Sequence, residues 1–152
     1  MRMAIAVGLL LMAMGVGGVL GTLVMARFAR FRHKGLQVIF AFSGAALSLV
    51  VLSQVSSVPV AMAILVLQQA FTQVVMTSNL TIVQMGTPDE MRGRVTGVYQ
   101  MEIGMMPIGG VIAGAIASLY GVTVAFLVGG TIGLISVAAI ALFVPSFRRL
   151  KL

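Results

Sequence analysis

Cysteine is absent from this 152-residue chain, histidine occurs once, and only three residues are acidic. Without cysteine there is no disulfide framework and no thiolate metal site, and His33 alone cannot build a metal centre. The apolar runs hold no paired acids and no serine–histidine constellation, so the usual machinery of an intramembrane enzyme is missing. Charge of either sign is scarce: 9% of residues are charged, against about 25% in a soluble domain. What is plentiful is apolar surface, at 60% of residues. A soluble domain of this length could not bury that much in one core and keep a polar exterior. The chain therefore reads as a single all-α membrane domain over 1–152, a polytopic helix bundle with the bilayer as solvent.

The net charge of +7 raises nucleic acid as a partner until the basic residues are located. Arg27, Arg30, Arg32 and Lys34 form one cluster, and Arg148, Arg149 and Lys151 form another. Both flank apolar runs, which is where topology signals sit, so no nucleic-acid partner is expected. His33, among these arginines, suits a solvated or headgroup-facing position.

Five runs are long and apolar enough to cross a membrane: about 3–26, 36–55, 59–86, 98–120 and 122–144, followed by a basic tail at 145–152. The first run also has features of a cleaved secretory signal, namely Arg2, an apolar segment, and Gly15, Gly17 and Gly18; its length and its ending in arginines favour a span. The second run carries Gln37, Ser43, Ser48 and Ser53, and its hydroxyls can be satisfied by the helix backbone. It reads as a peripheral, lipid-facing helix. Ser56, Ser57 and Val58 make a short neutral turn, with Pro59 suited to the first turn of the third helix.

That third run is the most polar. At about 100° per residue, Gln69, Gln73, Thr77 and Gln84 share one side, with Gln68, Thr72 and Asn79 beside them. Amides are costly against lipid tails, so this half must meet other helices or a water-filled cavity. Two readings stay open: hydrogen-bonding glue between helices, and a cavity lining in which Gln69, Thr72, Gln73, Thr77 and Asn79 touch a solute.

The segment 86–114 gathers every acid in the chain. Asp89 and Glu90 adjoin Arg92 and Arg94 in a charged elbow, where Thr87 or Asp89 can cap a short helical turn. Glu102 follows about one turn inside the fourth run, where an unpaired carboxylate is expensive. It can pair with an arginine of the elbow or of the first turn, act as a proton-coupling acid, or snorkel into solvent. Beyond it Gly104, Pro107, Gly110, Gly114 and Ser118 project as a small-residue seam, with GxxxG spacing at Gly110 and Gly114. Pro107 frees the carbonyl of Ile103 and should bend the helix. Gly129 and Gly133 repeat the spacing in the fifth run. The first and third turns and the tail are basic while the other two turns are neutral. The positive-inside rule then places the C-terminus in the cytoplasm.

Pro88, Arg92-Gly93-Arg94-Val95, Gly97, Gly104, Pro107-Ile108-Gly109, Gly114 and Gly121 resemble the tenth-to-eleventh helix region of the major facilitator superfamily. The resemblance is nearest to its enterobactin-exporter-like and macrolide-efflux-like branch, and it covers the whole chain as helices eight to twelve of twelve. It implies a cell-membrane secondary transporter exporting a small hydrophobic or siderophore-like molecule, with no cofactor and with proton coupling open. It also implies a fragment that needs the missing N-terminal helices or a complementary chain. The first turn departs from the family's pattern in having no acid beside Arg27, Arg30 and Arg32. That leaves the cluster free to meet Glu102, so Glu102 with Arg27, Arg30, Arg92 and Arg94 forms a candidate cytoplasmic latch. The alternative is a small membrane scaffold that binds partner helices through its glycine seams and moves no solute.

Overall fold

The computed structural model describes residues 2–27 and 34–143, and the side chains of 8–27, 35–101 and 103–143. The described residues form five α-helices: α1 (Arg2–Arg27), α2 (Lys34–Leu52), α3 (Val58–Met85), α4 (Arg92–Tyr120) and α5 (Val122–Phe143). Each is long and apolar enough to span a bilayer. No strand occurs among the described residues, as expected where lipid offers no partner for an open sheet edge.

Local chemistry sets the helix ends. Ser57 caps α3, its hydroxyl accepting from the Val60 backbone N–H at 3.5 Å, and Pro59 occupies the first turn, where a missing N–H costs nothing. The hydroxyls of Ser43, Ser48 and Ser53 donate to the carbonyls of Ile39, Gly44 and Val50 at 2.8, 2.8 and 2.6 Å, so they are satisfied within α2. Between α4 and α5 the chain turns at a single residue, Gly121, with φ +91°. A side chain is strained in that region, so Gly121→Ala should lower stability by about 1–3 kcal/mol, read as an earlier unfolding midpoint when the protein in mixed micelles is titrated with SDS.

The charged elbow differs from its sequence reading. Pro88 precedes a 3₁₀ turn at Asp89–Met91, and α4 begins directly at Arg92, six residues before the apolar run. Neither proposed cap acts as one. The Thr87 hydroxyl donates back to the Val83 carbonyl at 2.6 Å, and the Asp89 carboxylate accepts from Arg92 at 2.7 Å in an exposed ion pair. The earlier start also puts Glu102 almost three turns into α4.

Packing centres on α3. α1 lies along one side of it and α2 along another, α2 also packs on α5, and α4 leans on α5 while touching α3 lightly. Two α1 glycines make the tightest approach. A Cβ on Gly21 would fall 2.5 Å from the Ala70 carbonyl oxygen and 2.8 Å from its Cα, and one on Gly17 would collide with the Val66 carbonyl oxygen. Gly17 and Gly21 are thus the GxxxG pair that lets two membrane helices touch backbone to backbone. α2, read as peripheral, is the most buried of the five helices because α3 and α5 cover both its sides. Val38 and Ala41 of α2 join Met25, Val74 and Val75 in the core, and Phe40 meets Phe71 edge to face with ring centres 6.2 Å apart.

Candidate functional site

Where α1 and α3 diverge along the polar side of α3, they leave a groove of about 430 Å³ lined by Met14, Gly15, Gly18, Val19, Thr22, Gln69 and Gln73. Its shape follows from the glycines. Gly17 and Gly21 hold α1 against Val66 and Ala70, while Gly15 and Gly18, one step round the helix, put bare backbone opposite the amides. A Cβ on Gly18 would lie 3.8 Å from Gln73 Nε2, so the amide reaches across to the α1 backbone without touching it. The Thr22 hydroxyl is spent on the Gly18 carbonyl at 2.9 Å. Neither Gln69 nor Gln73 makes a side-chain hydrogen bond among the described residues. Two amides in a membrane-spanning groove thus keep their donors and acceptors available for a solute or water.

The other polar residues of α3 divide by position. Thr72 is engaged locally, donating to the Gln68 carbonyl at 3.0 Å and accepting from Gln68 Nε2 at 3.3 Å. Asn79 lies on the same stripe as that pair, and Thr77 on the stripe of Gln73; both are half-buried, and neither lines the groove. This polar half points away from α2, whose contacts fall on Phe71, Val74 and Val75. Near its far end α4 approaches, where the Tyr99 hydroxyl donates to the Met76 carbonyl at 3.4 Å.

Three of the five latch candidates have described side chains. Arg27 ends α1 in an exposed position, Arg92 pairs with Asp89 of its own elbow, and Arg94 is exposed. Arg30 and the Glu102 side chain lie outside the described residues. The α4 seam stands open. Gly104, Gly110 and Gly114 have nothing within reach of an added Cβ, α4 runs on through Pro107, and no described α4 residue is buried. In α5 the glycines that meet α2 are Gly130 and Gly133, against Ala46 and Val50, while Gly129 faces open space.

A second polar feature escaped the sequence reading. Met25 is buried, and its sulfur accepts from Gln37 Nε2 at 3.1 Å and from the fully buried Ser78 hydroxyl at 3.7 Å, tying α1, α2 and α3 together. The other amide atom of Gln37, Oε1, is buried with no partner among the described residues. A thioether reads as apolar filler in sequence, and only the convergence of two donors on it shows it acting as an acceptor.

A family model described as a transmembrane secretion effector, MFS_3, matches residues 2–150. No curated protein and no solved structure matches the chain.

Proposed function

Because the chain belongs to the transmembrane secretion effector family of major facilitator type transporters, we propose that it is the C-terminal part of an exporter. Its solute is a small hydrophobic or siderophore-like molecule, moved by alternating access. The observation that carries this reading is the pair of unengaged amides, Gln69 and Gln73, in the groove beside α1. A scaffold gains nothing by leaving amides unpaired inside a membrane, since each lost hydrogen bond there costs stability. A transporter needs groups that stay free until solute arrives. The described groove holds no ionisable side chain, which suits a solute recognised by hydrogen bonding and apolar contact.

Transporters of this kind hold solute between repeated helix bundles, and the openness of the α4 seam supports a requirement for further helices there. The five spans alone should therefore give no efflux from vesicles, whereas co-reconstitution with a chain supplying the complementary helices should restore it. Efflux by the five spans alone would overturn this part of the reading. Membership of the enterobactin-exporter-like and macrolide-efflux-like branch, a cell-membrane location and a cytoplasmic C-terminus complete the proposal.

Glu102 belongs to it as a latch residue. About one turn inside the apolar part of α4, its carboxylate needs a cationic partner or a proton. Pairing with Arg27 or Arg30 in one conformation would close the cytoplasmic ends of the helices. Glu102→Gln in the assembled transporter should then raise thiol accessibility on the cytoplasmic side several-fold, by removing about 1–3 kcal/mol of charge-assisted contact. Unchanged accessibility would exclude the latch.

A further inference from the structure

On the other side of α1 a second space opens, set between α1, α2 and α3 and separate from the amide groove. It has a volume of about 480 Å³ and is lined by Gly21, Val24, Leu36, Phe40, Leu67 and Phe71 among others, with Gln37 as its one polar side chain. Gln37 turns its amide N–H inward to Met25, so the walls presented outward are hydrocarbon. The volume lies within the range of roughly 300 to 1,000 Å³ typical of ligand pockets. Its rim faces outward. Phe40 is 74% exposed, Leu67 51% and Val24 47%, in helices whose surroundings are the bilayer.

One end of this crevice is marked by charge. Val24 is its last α1 residue, and one turn further on the same helix ends at the exposed Arg27. α2 starts at Lys34, two residues before the crevice residue Leu36, and the link between the two helices carries Arg30 and Arg32 in sequence. No acidic residue precedes Asp89 anywhere in the chain. An apolar slot that opens to lipid, one helical turn from the exposed Arg27, is complementary to one molecule the membrane always supplies, an anionic lipid.

We propose that the crevice between α1, α2 and α3 is a binding site for an anionic glycerophospholipid, with one acyl chain lying between Val24, Phe40 and Leu67 and the headgroup phosphate meeting Arg27. This assignment stands apart from the transport reading, since it uses neither Gln69 nor Gln73. The headgroup supplies the selectivity, at about fivefold for each basic contact near the membrane surface. The acyl chain covers apolar wall that none of the described helices covers.

The chain has no tryptophan, so an introduced indole is the only one present and can report which lipid lies beside it. Leu67→Trp places it in the crevice, and Ile135→Trp places it on α5 at a 68% exposed position. The full chain carrying either change would be reconstituted in phosphatidylcholine vesicles containing chain-brominated phosphatidylglycerol or chain-brominated phosphatidylcholine, and indole quenching measured. The proposal expects phosphatidylglycerol to quench Leu67→Trp with at least about fivefold preference, Ile135→Trp to show a ratio near one, and added Arg27→Gln to return the crevice ratio toward one. Equal ratios at both positions would mean ordinary boundary lipid, and absence of quenching at Leu67→Trp would mean that protein covers the slot. Either result overturns the proposal. If Leu67→Trp lost its helical circular dichroism, Val24→Trp on the opposite wall would carry the same test with the same outcomes.

Discussion

Gly21→Val separates α1 from α3 and should be among the most damaging single substitutions in the chain. The added Cβ would sit 2.5 Å from the Ala70 carbonyl oxygen and 2.8 Å from its Cα, and both are backbone atoms that cannot swing aside. Overpacking of this kind costs about 1–3 kcal/mol when side chains can adjust, and the upper end or more applies where only a whole-helix shift relieves it. Gly17→Val adds a second collision one turn away, at Val66. The double variant should lose the groove as well as stability, because Gln69 and Gln73 are positioned against α1 by this contact. SDS unfolding in mixed micelles, followed by circular dichroism, measures the first effect. Gly110→Val serves as the control: its site is open, and it should move the midpoint by less than about 0.5 kcal/mol in the five-span chain. A Gly21→Val chain as stable as the parent would show that α1 and α3 are not in backbone contact.

The second large effect is on transport. Gln69→Leu with Gln73→Leu should leave the helices intact and reduce efflux by the assembled transporter by roughly 5- to 150-fold. Each amide offers a solute hydrogen bonds worth about 0.5–1.5 kcal/mol net, and 1.4 kcal/mol is a factor of ten. Because neither amide has a hydrogen-bond partner among the described residues, leucine removes no hydrogen bond from the fold. The α1–α3 pair should be as stable as before. Thr72→Val is the informative contrast. Its hydroxyl is already held by Gln68, so its loss should cost less activity than the glutamine pair. A double-leucine variant that exports at the parental rate would return α3 to the status of ordinary helix glue.

The features legible in the sequence were those decided locally. The five spans follow from apolar run length, the start of α3 from the neutral turn before Pro59, and the α2 hydroxyl contacts from serine's habit of bonding back to the helix. α4 itself starts six residues before the apolar run, because helical hydrogen bonding continues to Arg92 through residues able to face water. Pairing between helices was harder to read. In a chain with 18 glycines, GxxxG spacing recurs in α1, α4 and α5, and nothing in the spacing tells which stripe meets a partner. The structure gives the contact to Gly17 and Gly21 and leaves Gly110 and Gly114 open. The same limit hid the burial of α2, whose apolar residues surround the helix without a polar face to orient it. It also hid the α1 half of the groove, where Gly15 and Gly18 contribute by having no side chain at all.

The central claim, that the polar side of α3 faces the path of solute, can be measured directly because the chain has no cysteine of its own. Single cysteines at Gln69, Gln73 and Phe71 would be placed in the assembled transporter, and their rates of reaction with a membrane-impermeant cationic thiol reagent compared. A groove open to solute gives fast modification at Gln69→Cys and Gln73→Cys, slowed when transported solute is present, and little at Phe71→Cys, which packs toward α2. Equal inertness at all three positions would contradict it.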